Sequence, residues 1–424
     1  MLTVNQAWDR IDDSVRPKSP VRLGLSESLG CVLAEEIIGT ADSPPFDKSM
    51  MDGYAVHAED VQGSETVLPV VGDLFAGQVW STSLPRGRAL RIMTGAPIPS
   101  GATAVVPVEW TQTVGEGSVQ IQPSSSVRVG LNILRQGTSM NAGEVVLTKG
   151  SLLRPQELAL LAELGETQPL VIPPLTVGIL ATGDELVEIN ETPKAGQIRN
   201  SNSLMLAAQV QQAGAIPRLL GIARDQVDDL RTKIRAGLEC DLLCLSGGVS
   251  AGAADLVPEE LRSAGVEEVF HKVAVKPGKP VWFGVRRGVA RPETGHEQNR
   301  EGERDHPTYV FGLPGNPVSS MVCFELFVKT ALRRLRGMSS GRPVLWKGRL
   351  TEPFRYRSDR QTWFPAEVFV RGAELLVRPS SWTGSADLRG TVRANCSLVL
   401  PAGGGEWSTG EFIDILPWGD SLQR

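Results

Sequence analysis

The strongest constraint on the fold is the run Cys240-Asp241-Leu242-Leu243-Cys244-Leu245-Ser246-Gly247-Gly248-Val249-Ser250-Ala251-Gly252-Ala253-Ala254-Asp255. Its first part is a short apolar stretch that reads as a buried strand. A loop of small residues follows at once and ends on a carboxylate. In an open α/β sheet, ligands bind outside the carboxyl ends of the strands. Gly and Ser in such a loop let backbone N–H groups approach an anion, because no Cβ intervenes. Asp255 could add an oxygen ligand for a hard divalent cation. A Gly-rich turn with no ligand remains the plain alternative.

Other segments repeat that arrangement. Val177–Leu180 reads as a strand and runs into Ala181-Thr182-Gly183-Asp184-Glu185. A second strand ends near Ile222, before Ala223-Arg224-Asp225. Helices are expected from the caps Asn200-Ser201-Asn202 to Ala213-Gly214, over about 226–238, and from near Pro258. Strand and helix alternate to Arg336, which predicts a parallel sheet covered on both faces. Asp184, Glu185, Asp225 and Asp255 would then share one sheet edge, as a metal or polar-ligand site. Cys240 and Cys244, four apart, are expected to point to one face as small core residues.

Lys276-Pro277-Gly278-Lys279-Pro280 is a stiffened turn carrying two lysines, either phosphate partners or solvated charges. The polar stretch 286–307 reads as a hairpin insert. Tyr309–Leu313 resumes the sheet, and Pro314-Gly315-Asn316-Pro317-Val318-Ser319 opens a helix whose free N–H groups suit an anion. Before the α/β part, Thr3-x-x-Gln6 is a capping box for a short helix with Val4, Ala7, Trp8 and Ile11 on one side. The proline-rich loop 43–54 is a place for function or a linker. Short alternating runs between 56 and 147 predict a mostly β lobe, in which Thr94 could hold an oxyanion or cap its turn. From Gly341 the pattern is β again, suiting a small barrel or sandwich.

The bulk numbers narrow the function. With 424 residues, about three domains are expected. The 43 basic and 48 acidic residues argue against a broad nucleic-acid surface. Five cysteines, sparse and odd in number, favour reduced thiols in the cytoplasm over a disulfide framework. The four histidines have no zinc-ligand spacing. Met1–Gln6 lacks the pattern of a signal peptide, and no apolar stretch is long enough to span a membrane.

Six motifs occur in order: Ser49-x-Met51-Asp52-Gly53-Tyr54-Ala55, Met93-Thr94-Gly95-Ala96-Pro97, Thr182-Gly183-Asp184-Glu185-Leu186, Ser246-Gly247-Gly248-Val249-Ser250, Lys276-Pro277-Gly278-Lys279-Pro280 and Leu313-Pro314-Gly315-Asn316-Pro317-Val318-Ser319. By these the whole chain resembles the molybdopterin molybdenumtransferases, the molybdenum insertase family that includes the C-terminal part of gephyrin. The resemblance implies an elongated multidomain chain, α/β plus β. Residues 1–40 would form a linking segment joined in space by 141–175, and 41–140 a mostly β lobe. Residues 176–336 would form a three-layer, parallel-sheet α/β domain of the molybdopterin-binding type, and 337–424 a C-terminal β-barrel domain.

It also implies Mg²⁺-dependent insertion of molybdate into adenylylated molybdopterin, with release of AMP. The enzyme would be a homodimer, its site shared between the β lobe of one subunit and the α/β domain of the other, and it could meet other proteins of the cofactor pathway. By motif match the catalytic positions are Asp52, Thr94, Asp184, Glu185, Asp225, Asp255, Lys276 and Lys279. Gly247, Gly248, Val249, Ser250, Pro277, Gly278, Pro314, Gly315, Asn316, Pro317 and Ser319 would bind substrate. Asp184, Glu185, Asp225 and Asp255 are the metal candidates. Gly137-Thr138-Ser139 departs from the family's usual Gly-Glu-Asp, and Leu256-Val257 follows Asp255 where an aromatic residue is common.

Three rival readings compete with this one. Gly248-Val249-Ser250-Ala251-Gly252 matches a hydrolase nucleophile elbow, but the helix required there would be broken by Pro258. A non-catalytic scaffold of the same fold is opposed by the intact acids and lysines. A molybdopterin adenylyltransferase would not need the flanking lobes.

Overall fold

The computed structural model describes residues 1–61, 65–122, 126–248, 256–288, 306–338 and 341–419. Val249, Ser250, Asp255 and most of the 286–307 insert lie outside the described residues. The chain forms two compact units. One comprises 1–34, 150–155 and 168–424, and the other 35–149 and 156–167.

The first unit is built on a six-stranded sheet. Its strands are Thr176–Thr182 (β1), Ile216–Ala223 (β2), Leu242–Ser246 (β3), Val266–His271 (β4), Trp282–Arg286 (β5) and Thr308–Leu313 (β6), in the order β2-β1-β3-β6-β5-β4. β2, β1, β3 and β6 are parallel, as strand–helix alternation requires. β5 and β4 extend the sheet as an antiparallel pair, β5 against β6 and β4 against β5. The sheet is therefore mixed, a parallel core with an antiparallel edge. Alternation places Val177, Ile179, Leu242, Cys244 and Phe311 on one face and Leu180, Leu243, Leu245 and Val310 on the other.

Cys240 departs from its expected side. Its N–H bonds Gly237 carbonyl in a turn before β3. A Cβ on Gly178 would lie 3.3 Å from Leu243 and 3.4 Å from Cys240 Sγ, so Cys240 packs on the face opposite Cys244. Position 240 precedes the strand, and the period of two does not reach it.

Helix Val4–Ser14 (α1) carries the Thr3–Gln6 capping box and buries Val4, Ala7, Trp8 and Ile11. Ser201–Gln212 (α2), capped by Asn200, Val227–Gly237 (α3) and Val257–Ser263 (α4) cover the sheet. A last helix starts at Pro317–Cys323 (α5), passes through a π turn at Phe324–Val328 and continues as Lys329–Leu335. Trp8 Nε1 donates to Leu326 carbonyl within that π turn at 2.8 Å, which satisfies one of the groups displaced from regular helical pairing. Beyond it, Gln361–Arg371, Glu374–Pro379, Trp346–Leu350, Phe412–Pro417 and Cys396–Leu400 close into a five-stranded barrel. The small barrel has no free edge of its own.

The second unit is mostly β. Its sheet follows the order Ala104–Pro107, Gly53–Val56, Ala89–Ile92, Thr66–Leu74, Ser118–Ile121, Thr111–Val114. Its two faces bury clusters centred on Tyr54, Val56 and Val106, and on Leu74, Leu90 and Val105. All five cysteines are free and buried, and no helix among the described residues is long and apolar enough to cross a membrane.

Candidate functional site

The chain leaves β1 for β2 on one side and then for β3 on the other. This makes the carboxyl ends of β1 and β3 a topological switch point, where a crevice opens. The strand ends are knitted by backbone bonds. Gly183 N–H donates to Ala223 carbonyl at 3.2 Å, and Gly247 N–H to Leu313 carbonyl at 3.0 Å. Gly247 and Gly248 have φ of 98° and 63°, and a Cβ on either would lie within 3.0 Å of Thr182 atoms. Glycine is thus required twice, by conformation and by space. Thr182 Oγ1 itself is buried and has no hydrogen-bond partner among the described residues.

A cavity of about 770 Å³ lies over these ends. Glu185, Asp225, Gly247, Gly248, Pro314, Gly315, Asn316 and Pro317 all line it. Asp184 is exposed beside the cavity rather than on its lining, and its Oδ1 accepts from Asp225 N–H at 3.2 Å. Arg224 reinforces the same corner, donating to the carbonyls of Asp184 and Leu186. Three of the four expected acids therefore lie at one sheet edge, with Glu185 and Asp225 lining the cavity and Asp184 tying β1 to β2, while Asp255 lies outside the described residues. No group of three or more His, Cys, Asp or Glu suited to a metal occurs among the described residues.

The lysines line a second cavity, of about 380 Å³, which shares Pro280, Pro314 and Asn316 with the first. Lys276, Pro277, Gly278, Lys279 and Ser319 are on its wall. Val275–Lys276 pairs with Gln361 and Thr362 of the barrel, which brings in Tyr356, Arg360, Trp382, Thr383 and Ser385. Lys276 Nζ lies 5.2 Å from the centre of the Tyr356 ring, a cation–π contact that fixes the cation without neutralising it. Arg360 donates to Val275 carbonyl at 3.0 Å. Ser385 Oγ accepts from Asn316 Nδ2 at 3.0 Å, leaving its proton to donate. The cavity combines three cations with hydroxyl groups, the equipment for an oxyanion.

Sequence reasoning missed the barrel residues and Asn202. Asn202 stood out only as a helix-capping position. In the structure its Nδ2 donates to Ser246 Oγ at 2.8 Å and to Gly315 carbonyl at 2.7 Å, bridging the loops after β3 and β6. No local signal in the sequence marks Tyr356, Arg360, Thr383 or Ser385.

In the β unit, a Cβ on Gly53 would lie 2.0 Å from Val106 carbonyl, so only glycine fits that strand pairing. The pairing presents Asp52, whose Oδ1 accepts from both the N–H and the hydroxyl of Thr94, each at 2.7 Å. These bonds hold the Asp52 carboxyl below its ordinary 3.8, although the group is exposed. A depressed acid stabilises the fold above its unfolded value, and that contribution is lost as pH falls through the folded one. Thr94→Val should therefore move the NMR titration of Asp52 up toward 3.8. An unmoved titration would mean that the Thr94 hydroxyl adds nothing to the hold of the Thr94 N–H, which the variant keeps.

The chain thus combines an open α/β sheet with glycine loops and a cationic cavity at its strand ends, a small closed β barrel and a separate, mostly β unit, the architecture of a multidomain α/β protein that binds an anionic ligand. The comparisons agree along the chain. Residues 2–165 match the MoeA N-terminal region (domains I and II), 178–334 a probable molybdopterin binding domain, and 347–418 the MoeA C-terminal region (domain IV). The chain is 33% identical to the molybdopterin molybdenumtransferase of Staphylococcus epidermidis over 98% of its own length and 95% of that protein. Against that of Staphylococcus aureus the identity is again 33%, with the same coverage. The molybdopterin biosynthesis MoeA protein of Pyrococcus horikoshii OT3 superposes with a TM-score of 0.78 at 30% identity, covering 99% of this chain and 100% of that one. The chain belongs to the molybdopterin molybdenumtransferase family.

Proposed function

We propose that this enzyme inserts molybdate into adenylylated molybdopterin, releasing AMP and forming molybdenum cofactor. The observation that carries the proposal is the pair of adjoining cavities with a common wall at Pro280, Pro314 and Asn316. The larger has the volume for a nucleotide–pterin diphosphate, and its glycine loops let backbone N–H groups near phosphate oxygens. The smaller has the size and charge for a compact metal oxyanion. Lys276, Lys279 and Arg360 supply positive charge there, and the hydroxyls of Ser319 and Ser385 supply directional donors. In cleavage of the diphosphate an incoming oxygen, from water or molybdate, bonds to the pterin-side phosphorus as its bond to the bridging oxygen breaks, and charge gathers on that oxygen as it departs with AMP. Lys279, exposed beside the shared wall, can move to meet that charge.

We include Mg²⁺ as the cofactor. Its donors would be Glu185 and Asp225, which line the larger cavity, supported by Asp184 and by Asp255, which lies outside the described residues. Mg²⁺ is commonly held by one or two carboxylates and completed by water and substrate phosphates, so this sparse oxygen set fits it. When bound, it would offset the diphosphate charge. We further propose a homodimer in which Asp52 and Thr94 of one subunit serve the α/β cavity of the other, acting in the reducing cytoplasm, where five free buried thiols are suited.

The test is AMP release by the purified full chain from adenylylated molybdopterin with Mg²⁺, with and without molybdate. Release should be accelerated by molybdate and abolished by chelation of Mg²⁺. Release indifferent to molybdate would overturn the proposal.

A further inference from the structure

The turn that carries Thr383 and Ser385 into the smaller cavity is held by one acid that lines neither cavity, Asp387. Its Oδ2 accepts from the N–H and the hydroxyl of Thr383, each at 3.0 Å, and its Oδ1 accepts from Gly390 N–H at 2.9 Å. Its own N–H donates to Gly384 carbonyl at 2.9 Å, closing the turn. A Cβ on Gly390 would lie 2.6 Å from Oδ2, so the backbone closes directly on the carboxylate. The turn is then docked on the start of α5. Val318 N–H donates to Ser385 carbonyl at 3.1 Å, and Asn316 Nδ2 to Ser385 Oγ at 3.0 Å.

We propose that Asp387 is a positioning residue of the smaller cavity, fixing the 383–390 turn so that Gly384 and Ser385 meet a bound oxyanion. This role presupposes that the oxyanion binds in that cavity. A carboxylate beside a cationic pocket is otherwise unexpected, because its charge opposes the ligand. The N–H groups of Thr383 and Gly390 hold the carboxyl below its ordinary range, so the opposing charge persists at neutral pH. What the acid gives in return is geometry. Both of its oxygens are turned into its own loop, and Ser385, which lines the cavity and accepts from Asn316, keeps its hydroxyl proton free to donate.

The two effects have opposite signs, which makes the role testable. Asp387→Asn removes the charge and leaves an acceptor for Gly390, but its amide cannot accept from Thr383. Loss of charge alone would tighten molybdate binding. Loss of position weakens it. Titration calorimetry of the full chain with molybdate at fixed ionic strength should show about tenfold weaker binding, because the two lost hydrogen bonds to an ionised group outweigh the relief of one opposing charge. The KM for molybdate should rise by the same factor, with kcat at saturating molybdate and KM for adenylylated molybdopterin within about twofold of the parent. Unchanged or tighter binding would overturn the role.

Thr383→Val, which keeps the acid and the backbone N–H, should raise the same KM by about threefold. No change there would overturn the role even if Asp387→Asn failed to fold. Lys279→Ala separates the two levels of the proposal. If it leaves molybdate affinity intact, the cavity is not the oxyanion site and the role of Asp387 falls with it. If it weakens binding while Asp387→Asn does not, the positioning role alone is wrong.

Discussion

Lys279→Ala should give a folded protein whose molybdate-dependent AMP release is about a hundredfold or more slower than the parent, the usual cost of removing a preorganised charge from a reacting centre. Lys279 is exposed, and it makes no ion pair among the described residues. Its removal therefore strands no buried carboxylate, and the melting temperature should stay within about 2 °C of the parent. The backbone carbonyl of Lys279, which accepts from Val273 N–H at 3.1 Å, is kept in the variant. Lys279→Arg should recover only part of the rate, because the planar guanidinium cannot reproduce a compact ammonium. The measurement is AMP release at several molybdate concentrations beside a circular-dichroism melt. Parental turnover in Lys279→Ala would remove the residue from the chemistry, and a parallel loss of melting temperature would make the defect one of folding.

The strand ends were legible because their signals are local. A short apolar run ending in Gly or Asp marks a strand and its turn within a dozen residues, as at Gly183-Asp184 after β1, Asp225 after β2 and Gly247-Gly248 after β3. The Thr3–Gln6 box and the Asn200 cap were legible for the same reason. The antiparallel edge was not. Strand–helix alternation presumes a parallel neighbour for each strand, whereas β5 pairs antiparallel with both β4 and β6. The barrel's share of the smaller cavity was also hidden. It depends on a two-residue strand, Val275–Lys276, pairing with Gln361 and Thr362 more than 80 positions later. So short a strand has no period to read, and the pairing follows from how the α/β sheet and the barrel pack. Tyr356, Arg360 and Ser385 reach the lysines through that packing alone. The Asp52–Thr94 pair lies between these cases. Its motifs were visible, but the bond joining them required Gly53 to pair flush against Val106.

Gly278→Ala should damage stability and activity together, and this is the larger structural effect expected at the site. Gly278 joins the two lysines, is buried, and has φ of 118°. A Cβ there would lie 2.3 Å from Cys323 Sγ, on the fully buried side of α5. Neither partner has room to yield. Cys323 Sγ already contacts Gly278 carbonyl at 3.5 Å, and Cys323 is fully buried. The combined cost of overpacking and a strained backbone should be about 3 kcal/mol, read as a shift in the denaturation midpoint. The turn can relieve the contact only by lifting from α5, which carries Lys276 and Lys279 out of register with Ser319 and Arg360. A displacement of about 1 Å at such a site commonly costs about a hundredfold in rate. Cys323→Ala provides the control, because it opens space for the new methyl group while leaving the φ penalty. The double variant should recover part of the lost stability and part of the lost rate, a coupling that independent sites would not show. If the two substitutions were additive, the clash with Cys323 would not be the cause, and the loop would owe its position to the barrel strand it pairs with.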